Sequence, residues 1–142
     1  MNTFETNEKL IAEGCNTQNF AINSIGSDLY CLCNTNGFWS VFYTERGIDH
    51  PPIFSSISEE EACKFFYNHI MKMEHWHLVG FYKDNNLAEA MESKLSDLGI
   101  RFVRNDIPAY QAQNDPRFRI FIVGKDIFRF KDVFGEPYTS YA

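Results

Sequence analysis

Two extended runs flanking an Asn/Gly turn are what most narrow the folds open to this chain. Leu29-Tyr30-Cys31-Leu32-Cys33 is apolar and extended, and Phe38 to Glu45 is a second such run. Between them Asn34-Thr35-Asn36-Gly37 supplies residues that tolerate positive φ. The pattern predicts a β-hairpin and therefore an antiparallel sheet. In the second run Trp39, Val41 and Tyr43 share one face, while Ser40 and Thr44 flank Phe42 on the other. Arg46-Gly47 is expected to end this strand.

Helical periods interleave with these strands. Residues 3–14 read as a short helix with Thr3 as N-cap and Gly14 as stop; residues 16–26 carry no clear period. A loop marked by Pro51-Pro52 spans 47–56. Ser58-Glu59-Glu60-Glu61 then matches a capping box, opening a helix to about Met73 with Ala62, Phe66, Ile70 and Met73 as its buried stripe. Trp76 to Tyr82 reads as a strand. Asp84 to Leu98 reads as a helix buried through Leu87, Met91, Leu95 and Leu98, stopped by Gly99. Ile100 to Arg104 and Arg117 to Val123 read as strands, and Lys125 to Phe134 as a terminal helix. The order α-β-β-α-β-α-β-β-α predicts a single α+β domain over 1–142. Its sheet is mixed, mostly antiparallel and of about five strands, with helices packed on it. Trp76 to Arg104 is expected to be a crossover unit with parallel strands.

A chain of 142 residues with 44% hydrophobic content can bury a sizeable core. Its net charge of −6 is uneven. Met1 to Glu61 holds nine acids and two bases, whereas Ala62 to Ala142 holds ten acids and eleven bases. An acidic face repels phosphates and attracts basic proteins, so direct nucleic-acid binding is not expected. Neither is membrane-surface binding, which needs Lys/Arg clusters. No basic region followed by an apolar run follows Met1, so a cytoplasmic location is expected, with Cys15, Cys31, Cys33 and Cys63 reduced. With 14 Phe and 7 Tyr the chain is rich in aromatics, some are expected at the surface, and surface aromatics are a common mark of protein interfaces.

Catalytic patterns are weak. Gly124-Lys125-Asp126 lacks the spacing and hydroxyl of a phosphate loop. Cys31 and Cys33, with His75 and His77, offer two ligand pairs for a tetrahedral metal site. Strand alternation alone also produces such pairs, and then the cysteines are small core residues and the histidines lie on a partly wet strand side. Glu45, Arg46 and His50 could serve acid–base chemistry, but sit in the acidic half, which disfavours a phosphate substrate. Arg117 and Arg119 read as a solvated strand face, with Phe121 and Val123 on the other. Glu59 and Glu60 stabilise a helix start and are free to face solvent or a partner.

Several segments together resemble the small immunity proteins of bacterial polymorphic-toxin and contact-dependent growth-inhibition systems. These are Phe38-Trp39-Ser40-Val41-Phe42-Tyr43-Thr44-Glu45-Arg46-Gly47, Ile53-Phe54-Ser55, Glu61-Ala62-Cys63 with Phe65-Phe66, Leu87-Ala88-Glu89, Leu98-Gly99-Ile100, and Arg117 through Ile127. The resemblance implies a cytoplasmic protein that is not an enzyme and uses no cofactor. It would bind the C-terminal domain of a cognate toxin stoichiometrically; an acidic inhibitor suits a basic toxin such as a nuclease. The expected contact surface is Glu45, Asp49, Glu59 and Glu60, with Tyr43 and Phe54 as aromatic anchors. Two other readings stay open: a general protein-binding adaptor, and a small metal-dependent enzyme using the Cys/His set.

Overall fold

A computed structural model describes residues 1–139; the last three residues of the expected 1–142 domain lie outside the described residues. The fold class is α+β, as expected, with four helices and eight strands among the described residues. The strands form two sheets, one in each of two compact units, Met1–His75 and Trp76–Ala142.

The first unit contains helix α1 (Thr3–Ala12), strands β1 (Phe20–Ile22), β2 (Leu29–Thr35), β3 (Phe38–Glu45), β4 (Ile48–Asp49) and β5 (Phe54–Ser56), and helix α2 (Glu59–Met71). Its sheet is mixed and mostly antiparallel. β1 runs parallel to β2, β2 pairs antiparallel with β3, and β4 and β5 pair with opposite ends of β3. The β2–β3 hairpin turns at Asn36-Gly37, with φ of 53° and 86°. Arg46-Gly47 repeats the device with φ of 49° and 80°. It therefore does more than end β3: it folds the chain back into β4. Both positive values match the primed turn that two-residue hairpins favour.

α2 covers one face of this sheet. Ala62, Phe66 and Ile70 are fully buried against Leu32 and Val41, with Leu10 of α1, Cys15, Phe20 and Cys63 completing the core. Full burial of each large side chain contributes about 1.5–3 kcal/mol. The helix ends at Met71, and Met73 packs on the core from beyond it. Its N-terminus elaborates the expected capping box. Ser58 Oγ accepts the Glu61 N–H at 3.2 Å, but the Glu61 carboxylate reaches the cap through Ser56 of β5. Ser56 donates its hydroxyl to Glu61 Oε2 at 2.8 Å and accepts the Ser58 N–H at 3.0 Å. This relay ties the helix start to the sheet edge. α1 is capped by Asn2, whose Oδ1 accepts the Glu5 N–H, and not by Thr3.

The second unit contains β6 (Trp76–Tyr82), α3 (Asn85–Asp97), β7 (Phe102–Arg104), β8 (Phe118–Val123) and α4 (Asp126–Phe134). β6 and β7 point the same way, as expected for the crossover, but β8 lies between them and pairs antiparallel with both. The core is Val79, Ala88, Leu95, Ile100, Ile120, Ile122, Ile127 and Phe130. Two expectations need correction here. Leu87 and Leu98 are 56% and 38% exposed, and α3 is instead buried through Ala88 and Leu95, with Met91 packed against the core. Arg117, Arg119, Phe121 and Val123 are spaced by two and so share one side; the Arg119 guanidinium lies 5.1 Å from the Phe121 ring centre. Arg117 is 3% exposed rather than solvated: it pairs with Asp115 and packs 4.9 Å from the Tyr110 ring centre. No helix among the described residues is long and apolar enough to cross a membrane.

Candidate functional site

The face of the five-stranded sheet opposite α2 carries no helix of its own unit. It is built from alternate residues of the strands: Cys31, Cys33 and Thr35 of β2, Phe38, Ser40, Phe42 and Thr44 of β3, and Asp49 of β4, which pairs with Thr44. One end is roofed by the segment joining β1 to β2. Thr44 is fully buried and donates its hydroxyl to the Gly26 carbonyl at 2.8 Å, and Cys33 Sγ approaches the Ser24 carbonyl at 3.6 Å. Asn23 and Asp28 take positive φ at either end of this segment, which brings Ile25 over the sheet. A Cβ at Gly26 would fall 2.5 Å from Leu29 Cδ2, so a side chain there would force Leu29 to shift.

Between roof and hairpin lies an open pocket of about 280 Å³ lined by Ile25, Cys33, Thr35, Ser40, Phe42, Asp49, His50 and Pro52. Asp49 is its only formally charged residue when His50 is neutral. The Asp49 carboxylate is exposed and has no hydrogen-bond or ion-pair partner among the described residues. Its negative charge adds to burial and to Cys31 in raising the Cys33 thiol above its ordinary value, with burial the largest cause. Large apolar residues of this face are left uncovered: Ile25 is 62% exposed and Phe38 56%.

The residues expected to bind a partner divide between this region and the rest of the unit. Glu45 and Asp49 stand at the β3–β4 turn, but their register sends them to opposite faces. Glu45 is held 3.2 Å from His50 Nε2, so the fold brings together two of the three residues weighed for acid–base chemistry. Glu60 is exposed at the start of α2, whereas Glu59 is half-buried and accepts the Thr3 N–H at 3.2 Å, binding α1 to α2. Tyr43 and Phe54 lie on the α2 face, at two ends of one array of rings. Phe54 stacks on Phe65 at 4.4 Å and Phe65 on His69 at 5.9 Å; His69 meets Tyr30 at 4.4 Å, Tyr30 meets Tyr43 at 4.9 Å, and Tyr43 meets His50 at 5.6 Å. Burial, then Lys72, pushes the His69 imidazole below its ordinary value. Burial and the carboxylates of Asp28 and Glu45 push the Tyr43 phenol up, reflecting the negative field at this end of the sheet.

The Cys/His metal set is not assembled. Cys31 is fully buried, and no three of His, Cys, Asp and Glu among the described residues form a group that could hold a metal ion. His75 is buried rather than partly wet, and both its ring nitrogens are engaged. Nδ1 accepts the Asn16 N–H at 3.0 Å, which leaves Nε2–H to donate to the Ile70 carbonyl at 3.0 Å. It anchors the chain after α1 to the end of α2. His77 lies half-buried on β6 in the second unit. All four cysteines are free thiols.

The pocket residues that sequence reasoning missed are Ile25, Ser40 and Phe42. Strand alternation places Ser40 and Phe42 on one face, but only the fold of residues 23–28 makes that face concave. Comparison with known proteins finds no matching family model, no similar curated protein and no similar solved structure.

Proposed function

We propose that this chain is an immunity protein, neutralising the C-terminal domain of a cognate bacterial toxin through a stoichiometric protein–protein interface and performing no catalysis itself. The observation that carries the reading is the open sheet face of the first unit. An unpaired carboxylate sits there amid uncovered apolar side chains, in a unit that bears the chain's whole net charge. Residues 1–75 hold ten acids and four bases, whereas residues 76–142 hold nine of each. Uncovered apolar residues rimmed by charge suit a protein partner, and the sign of the charge suits a basic one. The resemblance of the Phe38–Gly47 segment and its companions to such proteins supports the same reading.

A growth-rescue experiment tests it. The C-terminal part of the product encoded immediately upstream is expressed in a bacterial host with and without this chain. Arrested growth that resumes on co-expression is the expected result. An upstream product that is harmless, or that kills regardless, overturns the proposal.

A further inference from the structure

We propose that the pocket on the open face of the five-stranded sheet receives an arginine side chain of a basic protein partner, its guanidinium seated on the Asp49 carboxylate. The inference deepens the immunity reading and rests on it for the partner's being a protein.

The chemistry of the lining selects the occupant. Asp49 brings one negative charge, and no Lys or Arg lines the pocket to neutralise it. Thr35 and Ser40 add hydroxyl oxygens that can accept, and Ser40 Oγ is already oriented by Ser55 Oγ at 3.2 Å. Phe42 supplies an aromatic wall and Ile25 and Pro52 apolar ones, which suit the planar, weakly hydrated guanidinium and its methylene stem. An ammonium has neither the plane to stack nor the fork to engage a carboxylate and a hydroxyl together. The volume of 280 Å³ lies just below the range of about 300–1,000 Å³ usual for small-molecule and cofactor sites, and accommodates one long side chain. Glu45, which could compete for the cation, is engaged by His50.

The test is a nuclear magnetic resonance titration of the isotope-labelled full chain with N-acetyl-arginine amide. Two probes accompany it: the neutral isostere N-acetyl-citrulline amide, and N-acetyl-lysine amide. Arginine is expected to shift the amides of Ser40, Phe42, Asp49 and His50 saturably. Citrulline and lysine should bind about tenfold more weakly, the loss of one charge-assisted, bidentate contact. Asp49→Asn should lose the same factor, whereas Glu8→Gln, on the exposed side of α1, should lose nothing. Asp49 is exposed and unpaired, so its variant keeps the wild-type spectrum elsewhere. Equal binding of citrulline, shifts absent from the pocket, or full affinity in Asp49→Asn overturns the assignment. A failed growth rescue with arginine binding intact sinks the immunity reading and leaves the pocket standing. Rescue that persists undiminished in Asp49→Lys removes the pocket from the interface and leaves the immunity reading.

Discussion

Cys15 shows how much a single buried group can contribute. It is 5% exposed, its Sγ lies 3.7 Å from Met71 Sδ, and burial, with Glu13 secondary, pushes its thiol up to about 11. An acid whose folded pKa is raised holds its proton where the unfolded chain has released it. Its contribution is therefore complete below the ordinary value near 9 and is lost as pH rises from there to about 11. The loss is of order 2 kcal/mol. Denaturant titrations of the wild type and Cys15→Ala at pH 8 to 11 should show the wild type losing stability more steeply, and the two curves should run parallel if the thiol contributes nothing. Side-chain roles of this kind were only partly legible beforehand. Glu45 was recognisable as a surface acid from its place at a strand end, and Asp49 from the loop expected over 47–56. Glu59 was not recognisable as a tether, because its partner N–H belongs to α1, more than fifty residues away. Arg117 was misplaced because alternation fixes which side a residue faces but not whether a loop, here carrying Tyr110 and Asp115, covers that side.

At the level of elements, long periodic segments were legible and short ones were not. β2, β3, β6, α2 and α3 follow from their apolar spacing and caps, to within a residue or two. β1 and β4, of three and two residues, have no period to detect, and each exists only because β2 or β3 offers a free edge. The Arg46-Gly47 turn was half visible: glycine signalled the sharp exit, but a non-glycine residue at φ 49° gave no sign of a second hairpin. That residue is a point of weakness. Arginine pays for the left-handed conformation, whereas asparagine adopts it readily. Arg46→Asn should stabilise the first unit by about 0.5–1 kcal/mol, read as a higher denaturant midpoint with unchanged slope. The backbone contact from Arg46 N–H to Asp28 Oδ1 at 3.4 Å survives the change, so a loss of stability would show that the arginine side chain does more than tolerate the turn.

For the whole molecule, the division of the strands into two sheets was not written in any local pattern. β8 lies between β6 and β7 in one sheet, while β1, β4 and β5 join β2 and β3 in the other. The uneven charge was legible, and the units sharpen it, since residues 1–75 carry the net −6 and residues 76–142 are neutral. Such an asymmetry acts before contact is made. A field of one sign on one unit steers a basic partner toward it, raising the association rate while leaving the bound state to packing and short-range pairs. If the partner is the basic toxin domain proposed, its association rate should fall by about tenfold or more as ionic strength rises from 0.01 M to 0.5 M, because the screening length shrinks from about 30 Å to under 8 Å. The dissociation rate should change far less, since the Asp49 contact is shielded by the partner once seated. Stopped-flow mixing over that salt range separates the two rates. A flat association rate would mean that the charge of the first unit serves only solubility, and the pocket would then have to find its arginine without long-range help.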